Sequence, residues 1–291
     1  MHKYLKSVGF SNLKRKSDLD KLLADVVDHY DRKKIVENEE GRMFAEISKE
    51  FGYDCGITVC GEYDEKNRFR MEYYFPYYAG SQITSYEEIV VERHAGKESF
   101  AGACDDMRVG ISLIFYLLNA GDYLNVRQNG MLRELNTSLS LSGLAASGTI
   151  LLPLNKNVKQ IEADKKQSQQ RNSLLAAARN GDEEAMESLT MEDIDIYTMI
   201  SRRIQHEDVY SIVDTYLMPY GIECDQYSLM GEITECNTTL NTVTGEKMYQ
   251  LGLLTNDIPL DVCINERDLM GIPETGRRFK GVVWLQGLIN F

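Results

Sequence analysis

The chain has 291 residues, 32 of them lysine or arginine and 45 aspartate or glutamate, for a formal net charge of −13. An apolar content of 43% with 26% charged residues is that of a globular protein of about two domains, which excludes disordered, collagen-like and disulfide-miniprotein classes. The negative balance argues against a general nucleic-acid binder, because phosphate neutralisation needs a basic face.

The first residues mix apolar side chains with Lys3 and Lys6, so they lack the apolar core of a signal peptide. The longest apolar run, 113–118, is far short of the about 20 residues of a membrane-spanning helix. The last residues, Leu288-Ile289-Asn290-Phe291, carry no lipidation box. A cytoplasmic protein with no membrane partner is expected. Cysteines at 55, 60, 104, 224, 236 and 263 lack tight spacing, which predicts free thiols in a reducing compartment.

Leu19, Leu22, Leu23, Val26, Val27 and Tyr30 recur at helical spacing behind a capping-box variant, Ser17 with Asp20. Met43, Phe44, Ile47 and Phe51 predict a second helix stopped by Gly52. Segments 56–63 and 69–78 then read as a hairpin, the second rich in aromatics. In alternating strands half of Tyr73, Tyr74, Phe75, Tyr77 and Tyr78 face a core, so packing is favoured over a stacking platform. Segments 88–93 and 100–104 read as strands, 109–118 as a buried strand or short helix, and 139–154 closes a β-rich block.

Residues 162–172 have Ala163 as their only apolar side chain and read as a solvated helix or linker. Asn180-Gly181-Asp182 stops one helix and starts another, and Thr190 with Asp193 forms a second capping-box variant. Ile194, Tyr197, Ile200 and Ile204 form one helical face, and Val209, Ile212, Val213, Tyr216 and Leu217 a further one. Near the end, Ile258, Leu260, Val262 and Ile264 alternate with period two behind a hairpin tip at Thr255-Asn256-Asp257, and 280–291 supplies a closing strand. The predicted fold is α+β. Two β-rich units, the C-terminal one a small barrel- or sandwich-like sheet, are joined by a helical segment, with domains at 1–155, 156–218 and 219–291.

Phosphate-loop, dinucleotide-binding, zincin and nucleophile-elbow motifs are absent. Cys104, Asp105 and Asp106, with His94 upstream, could supply a nucleophile and base. The two carboxylates would raise the thiol pKa, which favours a buried cysteine followed by an acidic turn. Cys55 and Cys60 make only one loose pair, where structural zinc uses two tight ones, so neither metal nor cofactor is expected. Arg277, Arg278 and Lys280 place three cations around Phe279 in an acidic chain, a pattern suited to phosphate or carboxylate with a stacking ring. The plainer reading is a turn whose cations pair with Glu266, Asp268 or Glu274.

Four separated motifs carry a resemblance: Glu207-Asp208-Val209-Tyr210, Glu223-Cys224-Asp225-Gln226-Tyr227, Asp261-Val262-Cys263-Ile264-Asn265, and Gly276-Arg277-Arg278-Phe279-Lys280-Gly281 followed by Trp284-Leu285-Gln286-Gly287. With the opening Met1-His2-Lys3-Tyr4-Leu5 and Gly9-Phe10-Ser11, the whole chain resembles the domain-of-unknown-function family numbered 3881 of gut-dwelling anaerobic Firmicutes. The resemblance implies a cytosolic bacterial protein and carries no activity. The leading expectation is a non-catalytic binding or regulatory protein that recognises an anionic small molecule or an acidic partner. A hydrolase- or transferase-type enzyme using the Cys/Asp/His group and a protein scaffold are the alternatives. The oligomeric state is not readable from the sequence.

Overall fold

The structure is a computed structural model, and it describes residues 1–38, 41–94, 99–131, 137–154 and 158–291. A 3-10 turn at Lys3–Val8 and helix α1 (Lys16–Asp28) precede a four-stranded antiparallel meander: β1 (Arg32–Glu37), β2 (Met43–Gly52), β3 (Cys55–Tyr63) and β4 (Phe69–Tyr78). The apolar residues of 43–51 that read as a helix form the central strand β2 instead. Both faces of β2 are covered, so apolar residues crowd it without strict alternation, and the period misleads. Ala45 and Ile47 lie on the face covered by α1, whose Leu19, Leu23 and Val26 are buried. Phe44, Glu46 and Ser48 point the other way. The Ser17–Asp20 capping box does not form, because α1 begins at Lys16 with no side-chain cap.

The second sheet has ten strands: β5 (Ile89–Arg93), β6 (Phe100–Asp105), β7 (Ser112–Leu117), β8 (Ser138–Leu151), β9 (Tyr216–Pro219), β10 (Gln226–Leu240), β11 (Lys247–Thr255), β12 (Ile258–Asn265), β13 (Leu269–Met270) and β14 (Arg278–Asn290). Pairings β8–β12–β11–β10–β14–β8 close a ring of five. The ring is not a clean barrel. The first half of β14 pairs with β10, whereas Gln286 and Gly287 pair with Tyr116 and Leu117 of β7, so the strand leaves the ring to carry the β7–β6–β5 extension. The α+β class holds. Strands on either side of the helical segment share this one sheet, and the expected boundary at 155/156 falls at 155–157, outside the described residues.

Asn256 and Asp257, with φ of 46° and 61°, make the two-residue turn between β11 and β12 that the alternating pattern implied. Helix α2 (Ala120–Gln128) follows β7 and packs on β1 and β2. Between β8 and β9 stand α3 (Val158–Arg179), α4 (Glu183–Arg203) and a single turn, α5 (Val209–Ile212). Asp182 caps α4 by accepting from Ala185 N at 3.1 Å, so the restart at 180–182 is real. Thr190 sits inside the helix and donates to Met186 O at 2.8 Å. The helix expected over 209–217 breaks after α5, because the β-branched Val213 and Thr215 favour the extended chain that pairs with β10 as β9.

A buried aromatic bridge joins the sheets. Phe75 of β4 meets Tyr116 of β7 at 4.8 Å, and Tyr116 meets Trp284 of β14 at 5.1 Å. Buried Gln286 adds a polar bridge, donating to Pro76 O at 2.9 Å and accepting from Tyr78 N at 3.1 Å. Within the second sheet Phe115 lies across two glycines. A Cβ at Gly102 would stand 2.1 Å from its ring and one at Gly287 2.3 Å. Gly102→Ala is expected to cost about 1–3 kcal/mol through overpacking. Urea unfolding checks this, and an unchanged midpoint would contradict it. Among the described residues no helix is long and apolar enough to cross a membrane.

Candidate functional site

Strand pairing sets the inner face of the meander. Arg32, Ser48, Thr58 and Phe75 stand opposite one another across β1 to β4, and Lys34, Glu46, Cys60 and Tyr73 form the next row. These rows face the second sheet across a cleft of about 430 Å³, which Asn119 and Asp122 of the α2 entrance and Leu288 of β14 close from the other side. Clefts between packed units are common ligand sites.

Each cation in the cleft has a replaceable partner. Arg32 donates to Glu50 Oε1 at 3.2 Å and to Tyr77 Oη at 3.4 Å, and Lys34 pairs with Asp122 at 2.8 Å. Glu50 and Asp122 are exposed carboxylates, so these pairs are worth about 1 kcal/mol or less. Lys33 also borders the cleft, but its amine donates to Tyr63 Oη at 2.7 Å. Ser48 and Thr58 share a buried hydrogen bond of 2.9 Å.

Glu46 is the unusual group. Its half-buried carboxylate borders the cleft and accepts from Gly121 N at 3.1 Å at the start of α2. Burial pushes its pKa up to about 7, against the opposing pull of the Gly121 N–H. Beyond it, burial raises the Cys60 thiol and the Tyr73 and Tyr116 hydroxyls well above their ordinary values. Glu46 is therefore the member of this row whose pKa falls near neutral, a property expected of a functional-site group.

The residues singled out from the sequence fall elsewhere. Arg278 is buried and donates to Leu152 O at 3.1 Å, Tyr210 O at 2.8 Å and Val213 O at 2.9 Å, so it clamps both ends of the helical excursion to β14. Phe279 is a core residue. Arg277 pairs with Glu274 at 2.8 Å and donates to Ile272 O at 2.8 Å. Lys280 lies over the Tyr210 ring, 4.3 Å from its centroid, and borders a shallow groove with Ser147, Thr149, Ser228 and Arg267. The turn's four residues are thus dispersed into clamp, core, local ion pair and groove rim.

The cysteine group is dispersed as well. Cys104 is buried on β6, and burial raises its pKa. Asp105 is exposed and accepts from Ser112. Burial alone would raise Asp106, but hydrogen bonds from Arg108 and Ser85 outweigh it and hold the carboxyl below its ordinary value. His94 is hydrogen-bonded across the hairpin to Ser99. That puts it five residues along the ladder from Cys104, about 17 Å away. His94 instead borders a cavity with Tyr116, Trp284 and Asp225. Among the described residues no three His, Cys, Asp or Glu side chains converge as metal ligands.

Sequence reasoning passed over Arg32, Lys34, Glu46, Ser48 and Thr58, and it placed Tyr77 in an aromatic cluster for which packing was favoured. The available signal was Arg32-Lys33-Lys34, a run of three cations as dense as 277–280. Reading 43–51 as a helix removed Glu46 from any shared face with it.

No curated protein matches this chain, and no solved structure does. A family profile matches residues 5–287, nearly the whole length. The chain therefore belongs to the family described as "Domain of unknown function, E. rectale Gene description (DUF3881)".

Proposed function

We propose that this is a non-catalytic binding protein that holds an anionic small molecule in the cleft between its two sheets. The observation that carries this reading is the convergence of Arg32, Lys34 and the hydroxyls of Ser48, Thr58 and Tyr77 on one half-open cleft that Glu46 also lines. A phosphate or carboxylate would exchange two weak rim ion pairs for charge-assisted bonds in a less solvated site.

Glu46 makes the reading specific. Facing it are Lys34 and Arg32 of β1, Cys60 of β3, and Asp122 with the Gly121 N–H of α2. An anion placed beside it favours its protonated form, so binding takes up a proton and weakens as pH rises through about 7. Thermal-shift and calorimetric screens against nucleotides, phosphosugars and dicarboxylates test this. The expected result is a stabilising ligand whose affinity falls at least about 10-fold in Arg32→Ala/Lys34→Ala and is tighter at pH 6 than at pH 8. Stabilisation by none of these ligands, or equally of the double variant, overturns the proposal.

A further inference from the structure

A second cavity, of about 660 Å³, opens where the N-terminal 3-10 turn, the end of β5 and the loop between β9 and β10 meet over β7 and β14. None of its lining residues lines the cleft at Arg32 and Lys34. Its wall is aromatic. Trp284 packs against His2 at 4.8 Å between ring centroids, Tyr116 at 5.1 Å and Tyr4 at 5.6 Å. Beyond Trp284, the rings of Tyr116 and the exposed His94 lie nearly parallel, at 19° and 6.3 Å. Two polar groups in this wall keep unused hydrogen-bonding capacity. Asp225 accepts from Trp284 Nε1 at 2.7 Å, and among the described residues no cation pairs with its carboxylate and no second side chain donates to it. Burial raises its pKa, so a further donor would favour the charged form. His2 Nδ1 is the one buried side-chain nitrogen or oxygen without a partner among the described residues. Burial, with Lys3 beside it, lowers the His2 pKa to about 4, and the neutral ring can offer Nδ1 as an acceptor.

We propose that this cavity binds a flat, neutral heteroaromatic ring of the nucleobase kind, one that carries an exocyclic amine or a ring N–H. The rings call for a flat ligand, because a heterocycle set against Tyr116 and His94 continues their stack. The two acceptors call for N–H donors. One donates to Asp225, a charge-assisted bond and the strongest polar contact open to a neutral ring, and a second meets His2 Nδ1. Amino-bearing base edges present such donors. A cationic ligand fits less well. The Lys3 ammonium already lies over the Tyr4 ring, 4.9 Å from its centroid, so the chain itself fills the cation position on this aromatic group. Lys3 also offsets Glu223 at the rim, since both are hydrogen-bonded to Gln226.

Trp284 is the only tryptophan of the chain, so its fluorescence reports on this cavity directly. Titration of the full-length protein with adenosine, guanosine and cytidine tests the proposal, with benzyl alcohol as a ring that lacks N–H donors. These nucleosides carry no anionic group for the cleft at Arg32 and Lys34. At least one of them is expected to change the emission saturably, with a dissociation constant below about 1 mM, and benzyl alcohol is not. Asp225→Asn keeps an oxygen for Trp284 Nε1 but loses the charge, and should raise the dissociation constant about 10-fold or more. His2→Phe keeps a ring and removes the acceptor, and should weaken binding several-fold, as should His94→Ala at an exposed position. Arg32→Ala/Lys34→Ala should leave the affinity unchanged. No saturable change with any nucleoside, an equal response to benzyl alcohol, or unchanged affinity in both Asp225→Asn and His2→Phe overturns the proposal. Loss of the response in Arg32→Ala/Lys34→Ala overturns it as well, by assigning the ligand to the other cleft.

Discussion

Glu46→Gln is expected to stabilise the protein by about 3 kcal/mol at pH 8 and to leave it nearly unchanged at pH 4. In the folded chain the carboxyl titrates near 7, raised by burial from an ordinary value of 4.5. Between those values the unfolded chain has lost a proton that the folded chain still holds. Stability due to this group therefore falls as pH rises through the window, and the full penalty stands above about 7. Glutamine carries no charge at any pH and keeps an oxygen for the Gly121 N–H. The difference between wild-type and variant urea midpoints at pH 5 and pH 8 measures the effect. A difference that does not grow with pH would show that Glu46 ionises in the folded protein as it does in the unfolded one.

Arg278→Ala should destabilise the protein by about 3 kcal/mol or more. The substitution leaves the Leu152, Tyr210 and Val213 carbonyls without their donor and opens a cavity under a buried side chain. Arg278→Lys should recover little of this, since one ammonium cannot span three carbonyls that a planar fork reaches together. Arg277→Ala, which removes a turn ion pair with the exposed Glu274, should cost under about 1 kcal/mol. Chemical unfolding of the three variants separates clamp from surface charge. Equal losses for Arg277→Ala and Arg278→Ala would contradict the assignment. Because the clamp ties 152 to 210–213, Arg278→Ala should also raise protease sensitivity in the helical segment before the sheets unfold.

The legible parts of the chain were those whose side chains keep the period of the element; β12 is buried on both faces, yet Pro259, Asp261, Cys263 and Asn265 still alternate with its aliphatic residues. Helix α1, strand β12 and the restart at Asp182 follow from apolar spacing and turn chemistry alone. Strand β2 was not legible, because α1 covers one of its faces and the second sheet opposes the other, so its pattern lost the period-two signature. The site suffered twice. Arg32 and Lys34 meet Glu46 only through strand pairing, and the cleft wall at Asn119, Asp122 and Leu288 arrives from residues far along the chain.

The basic turn at 277–280 shows the same limit from the opposite side. Its composition is that of an anion site, yet it begins a strand with ring-interior and exterior faces. Strand alternation therefore sends Phe279 into the core, while Arg278 turns to the carbonyls at the root of the helical hairpin. The sequence by itself determined the α+β class, the family, the helical segment and the C-terminal hairpin, because local periodicity and turn residues encode elements. Only the tertiary structure decided which charges converge, since side chains as far apart in the chain as Arg32, Glu46, Asp122 and Leu288 share a cleft solely through sheet register and the packing of one sheet against the other.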